Sequence, residues 1–128
     1  MVPEFSQRDL PWRDIRLGES QETMYGSGCL VTSVAAATVI LDPDMDPLKL
    51  VTWLNANDGF TVDGRMIITK PTEFIDGLTY ENYYLWRDDN QNADMRLIRE
   101  ALVRGPAIIQ VDYDPTDNDL DSHFVVAV

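Results

Sequence analysis

Two residues of this 128-residue chain have side chains suited to covalent catalysis, and each type occurs only once. Cys29 follows Gly26 and Gly28 and precedes an uncharged run from Leu30 to Leu41. A thiol in the first turn of a helix lies near unpaired backbone N–H groups, whose partial positive charge favours the nucleophilic thiolate. His123 begins another apolar run much later in the chain. Because a neutral imidazole accepts a proton from a thiol, the two residues indicate a cysteine nucleophile if the fold brings them together.

The run after Cys29 predicts a buried central helix. Between Leu30 and Leu41 only two threonines and one serine are polar, so a helix built from this run is apolar on nearly every side and belongs in the core. Asp42 and Pro43 end it, because proline cannot continue a helix. In such a setting a lone cysteine is more often a small buried apolar residue than a nucleophile, and a lone histidine before an apolar strand is more often structural.

The remaining elements predict an α+β domain with an antiparallel sheet. Residues 4–19 predict a packed, extended arm, because Pro11 and Gly18 interrupt any long helix. The other predicted elements are a helix from Pro47 to about Asn55 capped by Asp46, a short β-like run at Arg65–Thr69, a strand at Tyr80–Trp86, a helix from Asn92 or Ala93 to Arg104, and strands at Ala107–Tyr113 and Ser122–Val128. Helices precede most strands, which is typical of segregated α+β folds.

Length, charge and composition exclude several classes of function. With 128 residues, 45% of them hydrophobic, the chain predicts a single domain over residues 1–128. A formal net charge of −12 argues against nucleic acid or anionic lipid as a partner. No apolar run reaches the roughly 18 residues of a membrane span, and no signal peptide is evident. One cysteine excludes an intrachain disulfide and a zinc site with several thiolates.

Two acidic segments raise the possibility of calcium binding. Aspartates alternate in each segment, at Asp42, Asp44 and Asp46 and at Asp117, Asp119 and Asp121. Alternating carboxylates can supply oxygen ligands to calcium, but neither segment has the glycine and glutamate of the helix–loop–helix calcium pattern. Solvated acidic loops are the favoured interpretation, and we expect neither a metal nor an organic cofactor. The aromatic run from Tyr80 to Trp86 suits sheet packing better than a peptide or sugar cleft.

Four segments share their pattern and order with one enzyme family. They are Gln7–Trp12, Gly28–Ser33, Arg104–Ile109 and Ser122–Val128. Together they resemble the papain-like cysteine peptidases of the double-glycine-peptidase-like branch, over almost the whole chain. The resemblance implies a central buried helix that carries the cysteine, packed on an antiparallel sheet that carries the histidine.

The resemblance also implies roles for individual residues. Cys29 is the expected nucleophile, and His123 is the expected general base and then acid. A glutamine upstream of the cysteine helps to stabilise the oxyanion in such enzymes. Gln7 fits the family's motif best, and Gln21 is the second candidate because it lies closer to the cysteine. The family's third residue, an Asp or Asn on the strand after the histidine, has no counterpart before the end at Val128, which favours a missing C-terminal strand.

The expected function is therefore hydrolysis of an amide bond through a thiol. The resemblance implies a protein or peptide substrate, including cell-wall cross-bridge peptides, and an extracellular or wall-associated setting. Two alternatives remain open. The first is an inactive papain-like domain that binds peptides or has a structural role, and the second is an acyltransferase or deamidase that uses the same thiol. The oligomeric state is left open by the sequence.

Overall fold

The computed structural model describes residues 2–80, 95–111 and 123–127, without the side chains of residues 95–98 and 110–111. In these residues the chain forms the helices α1 (Met24–Ser27), α2 (Cys29–Thr38), α3 (Pro47–Ala56), α4 (Pro71–Phe74) and α5 (Met95–Arg104), and the strands β1 (Ala107–Val111) and β2 (His123–Ala127). The two strands pair antiparallel, with Ala107 opposite Ala127 and Val111 opposite His123. The described part of the chain is therefore of the mixed α and β type, and its strands form an antiparallel pair as expected.

The start of α2 depends on close packing at Gly28. The N–H of Gly28 donates to the carbonyl of Met24 (2.9 Å), and the carbonyl of Gly28 accepts from the backbone N–H and the hydroxyl of Thr32 (2.9 and 2.7 Å). A Cβ at position 28 would lie only 2.6 Å from both the carbonyl oxygen and the sulfur of Met24. Glycine is therefore required here so that α1 can approach the first turn of α2, which begins at Cys29 as predicted.

Helix α2 is the buried centre of the described structure. Eight of its ten residues are buried. It ends at Thr38, whose side-chain hydroxyl donates to the carbonyl of Val34 (2.7 Å) and whose carbonyl accepts from the N–H groups of Leu41 and Asp42. The predicted end at Leu41 is thus three residues too late. Ile40 is 82% exposed, so the prediction that the whole apolar run lies in the core is wrong at its end.

The prediction of α3 is confirmed, together with its cap. Pro47 is the first helical residue, and the Asp46 carboxylate accepts from the backbone N–H of Lys49 (2.7 Å). Leu50, Val51 and Leu54 are completely buried, as three residues at helical spacing on one face should be. α3 packs against α2 and so forms part of the apolar surroundings of the central helix.

The N-terminal arm packs against the domain, but it is built from turns rather than from extended chain. Trp12 is buried, donates its indole N–H to the carbonyl of Ser6 (2.7 Å) and meets the ring of Phe5 edge to face. Backbone hydrogen bonds then tie the arm to α1, from the N–H of Met24 to Ile15 and from the N–H of Tyr25 to Arg13 (2.9 and 2.8 Å). The arm is therefore fixed beside the start of α2.

Of the other predicted elements, some are confirmed, one is wrong, and one lies mostly outside the described residues. Residues 65–69 form no strand, since Met66 alone pairs with Phe60 in an isolated bridge, and α4 follows directly. Tyr80 is exposed and outside any strand, and the rest of the strand predicted to Trp86 lies outside the described residues. The predicted helix ending at Arg104 and the last two strands are found within the described ranges. Within that helix the apolar side chain of Val103 is 88% exposed.

Candidate active site

A cavity of about 1140 Å³ brings together residues from three parts of the chain. The arm contributes Gln7, the first turn of α2 contributes Cys29, and the first residue of β2 contributes His123. The one cysteine and the one histidine of the chain therefore line the same cavity, although most of the sequence separates them. The cavity also follows one face of α2 beyond Cys29, past Ser33 and Ala36.

Cys29 opens the central helix beside the cavity. It is the first residue of α2, a helix of ten residues, and it is 8% exposed. The aligned peptide dipoles of a helix place partial positive charge at its first turn, and this charge stabilises an anion there. Cys29 also lines the cavity, while most of its surface is shielded from water.

The backbone that carries His123 is held on two sides. His123 is partly buried and lies opposite Val111 in the antiparallel pair. The next residue, Phe124, accepts a hydrogen bond at its backbone carbonyl from the hydroxyl of Ser33 on α2 (3.2 Å). β2 packs directly on α2, so the strand that carries the imidazole is attached to the helix that carries the thiol.

Gln7 is held by Tyr25 of α1. The side-chain amide nitrogen of Gln7 donates to the backbone carbonyl of Tyr25 (3.0 Å), and the guanidinium of Arg8 lies 5.0 Å from the centre of the tyrosine ring. Gln21, in contrast, is exposed in the turn before α1 and does not belong to the described lining of the cavity. Of the two glutamines that the sequence left open, the fold therefore brings Gln7, and not Gln21, to the cavity with Cys29.

The acidic segment before α3 has structural partners. Asp46 caps α3, and Asp42 forms an ion pair with Lys49. The hydrogen bond from the Lys49 ammonium group holds the pKa of Asp42 below its ordinary value of 3.8, and the same bond raises the pKa of Lys49 above 10.5. The described residues contain no cluster of three or more histidine, cysteine, aspartate or glutamate side chains that could hold a metal ion.

The second acidic segment, with Asp117, Asp119 and Asp121, lies outside the described residues. Among the helices that the structure does describe, none has the length and apolar character needed to cross a membrane.

Sequence reasoning missed two residues that organise the site. The sequence indicates Ser33 only as a polar residue in an apolar helix, and it indicates no role for Tyr25. Ser33 carried a usable signal, because it follows Cys29 by four residues and therefore lies on the same face of the helix. Tyr25 carried none, since its role depends on a backbone carbonyl that any residue has.

Comparison with known proteins does not extend this description. No family model, no curated protein and no solved structure matched the chain. The candidate site consequently stands on its own residues and geometry: a thiol at the start of a buried helix, an imidazole at the start of the adjacent strand, and an amide from the arm.

Proposed function

We propose that this chain is a thiol-dependent amide hydrolase with a papain-like arrangement of its catalytic residues. The observation that carries the proposal is that the only cysteine and the only histidine line one cavity, with the cysteine at the first position of a buried helix. The packing of β2 on α2 supports the papain-like arrangement, in which a central helix and an antiparallel sheet supply the two groups.

The reaction begins with proton transfer from the Cys29 thiol to the His123 imidazole. The thiolate attacks the carbonyl carbon of an amide, and a C–S bond forms while the carbonyl electrons move onto oxygen. The imidazolium then gives its proton to the amide nitrogen as the C–N bond breaks and the amine leaves. In the second half, His123 takes a proton from water while the water oxygen attacks the thioester carbonyl carbon. The C–S bond then breaks, the carboxylic acid leaves, and the imidazolium returns its proton to the Cys29 thiolate.

Gln7 and the backbone N–H of Cys29 are the proposed donors to the oxyanion. A primary amide has two N–H groups, and the hydrogen bond from Gln7 to Tyr25 uses one of them. The second N–H is available to a carbonyl oxygen that becomes negatively charged beside Cys29. Because the bond to Tyr25 fixes the amide before substrate arrives, the donor needs little reorganisation during the reaction, which is the basis of oxyanion stabilisation.

Peptides are the substrate class that this chemistry favours. The net charge of −12 favours neutral or basic peptides over acidic ones, because long-range repulsion slows the approach of anions. Cell-wall cross-bridge peptides remain within this class. Transfer of the acyl group to an amine, or deamidation of a glutamine, would use the same thioester and differs only in the groups that enter and leave.

A chromogenic ester tests the proposal without knowledge of the natural substrate. p-Nitrophenyl acetate should acetylate Cys29 and release one equivalent of p-nitrophenolate per chain in a rapid burst, with the acetyl group located at Cys29 by mass spectrometry. Gln7→Ala should slow the burst by about 10²-fold, which is the lower end of the range for loss of one oxyanion donor. Gln21→Ala is the matched control, because it removes the same amide outside the cavity.

The outcomes separate the proposal from its alternatives. A burst that depends on Cys29 and on Gln7, but not on Gln21, supports the hydrolase. If Cys29 is not acetylated in the folded protein, the hydrolase proposal is wrong, and the peptide-binding module is the remaining interpretation. If Gln7→Ala and Gln21→Ala behave alike, the assignment of the oxyanion donor is wrong, although the nucleophile stands.

A further inference from the structure

Ser33 forms a direct hydrogen bond between the helix that carries Cys29 and the strand that carries His123. Its hydroxyl donates to the backbone carbonyl of Phe124 at 3.2 Å, across 91 positions of sequence. Ser33 is 6% exposed and lies in the lining of the same cavity. Serine hydroxyls in helices usually bond to a carbonyl of their own helix, so a bond to another element is a specific feature of this position.

The bond lies close to both reactive groups. Ser33 follows Cys29 by four residues, so the two side chains lie on one face of α2, about 6 Å apart along the axis at 1.5 Å per residue. Phe124 is joined to His123 by one peptide bond. A short path of helix, hydrogen bond and peptide bond therefore connects the thiol and the imidazole.

The bond attaches β2 to α2 directly beside the imidazole. His123 pairs with Val111 in the ladder between the two strands, and Phe124, the residue after it, accepts the hydrogen bond from Ser33. Eight of the ten residues of α2 are buried. The bond from Ser33 therefore fixes the residue after His123 to a buried helix, and so restrains the strand next to the imidazole.

We propose that Ser33 is a positioning residue, which sets the place of the His123 imidazole relative to Cys29. Its catalytic consequence rests on the proposed function, whereas its effect on the imidazole does not. Loss of the hydroxyl should leave the fold intact but loosen the first residues of β2. The thiol would then lose part of its pairing with the imidazole, and its reactivity at low pH would fall.

Thr32 provides a matched control. It is also 6% exposed and lines the same cavity, but its hydroxyl bonds to the carbonyl of Gly28 within its own helix (2.7 Å). Thr32→Val and Ser33→Ala each remove one buried hydroxyl from neighbouring positions. A general effect of lost stability should appear in both variants, whereas an effect on β2 should appear in Ser33→Ala alone. Ser33→Thr keeps the hydroxyl and should restore the wild-type behaviour.

The experiment uses two readouts on these variants. Because the chain has one histidine, a proton–carbon NMR spectrum contains a single imidazole Cε1–H signal, which reports the surroundings of His123 directly. The rate of Cys29 alkylation by iodoacetamide at pH 6 reports its pairing with the thiol. We expect Ser33→Ala to shift the imidazole signal and to lower the alkylation rate about fivefold, the factor that corresponds to one hydrogen bond of average strength.

Each outcome has a defined meaning. A shifted imidazole signal and slower alkylation in Ser33→Ala, with neither change in Thr32→Val, support the proposal. A shifted signal in Ser33→Ala, when wild-type Cys29 is unreactive at pH 6, supports the positioning of His123 and counts against the hydrolase. An imidazole signal that is unchanged in Ser33→Ala, or changed equally in Thr32→Val, overturns the positioning role whatever the reactivity of Cys29.

Discussion

Two glycines separated by one residue should respond in opposite ways to the same substitution. Gly28→Ala would place a methyl group 2.6 Å from the carbonyl oxygen and from the sulfur of Met24. The φ angle of Gly28 is −86°, which any residue adopts, so the cost comes from the contact and not from the backbone conformation. Met24 is completely buried, and its backbone oxygen has no room to retreat.

The magnitude follows from the cost of forcing extra volume into a packed interior. Such overpacking costs about 1–3 kcal/mol. A chain of 128 residues has an unfolding entropy of about 0.27 kcal/mol per degree, at about 2.1 cal/mol/K per residue. We therefore expect Gly28→Ala to lower the melting temperature by about 4–11 °C. Because the displaced turn leads directly into Cys29, the alkylation rate of the thiol should fall as well.

Gly26→Ala is the matched control for this experiment. Gly26 lies in α1, and a Cβ there would meet no atom within 4 Å. Replacement of a helical glycine by alanine stabilises by about 0.4–1 kcal/mol, because the unfolded chain loses freedom. Thermal unfolding followed by circular dichroism should thus show a rise for Gly26→Ala and a fall for Gly28→Ala. Equal melting temperatures for the two variants would refute the close packing of α1 against α2.

Two further predictions concern the acidic segment before α3. Asp46→Ala should lower the free energy of unfolding by about 0.5–2 kcal/mol, because the N–H of Lys49 loses its cap. Asp46→Ser should recover most of this loss when unfolding is measured in urea. Equal losses in both variants would contradict the capping role. Lys49 lowers the pKa of Asp42 in the folded protein. The ion pair therefore stabilises the fold at pH values above 3.8, the ordinary pKa of Asp42 in the unfolded chain. This contribution disappears as the pH falls through the lower pKa of the folded protein. The difference in stability between wild type and Lys49→Met should accordingly be constant between roughly pH 5 and pH 9 and shrink below about pH 3.8; a difference that stays the same in acid would show that the pair contributes through packing alone.

Local signals in the sequence predicted the local elements of the fold. Asp46 and Pro47 give α3 both a cap and a rigid first residue, and its buried residues follow one helical face. These features act within a few residues, so sequence reasoning could find them. The end of α2 was missed because the residues that follow Thr38 are as apolar as the helix itself. The turn after Thr38 is closed by the N–H groups of Leu41 and Asp42, which both donate to the carbonyl of Thr38.

Contacts between distant segments could not be read from the sequence. The choice between Gln7 and Gln21 depended on how the arm turns back onto Tyr25, a contact made through a backbone carbonyl. The run at residues 65–69 has β-forming side chains, but its pairing is limited to one isolated bridge, between Met66 and Phe60, and a strand needs paired neighbours along its length. The shared cavity of Cys29 and His123 was predictable only through the resemblance of four separated segments to papain-like peptidases.

The most direct test of the proposed site is the pH dependence of Cys29 alkylation. The rate of reaction with iodoacetamide would be followed by mass spectrometry from pH 4 to pH 9 in the wild type and in His123→Ala. An ordinary cysteine thiol reacts only as it ionises near pH 8.5. The proposed thiolate–imidazolium pair predicts a plateau of reactivity well below that pH, which His123→Ala abolishes. A rate that rises only near pH 8.5, and rises identically in the variant, would contradict the proposed active site.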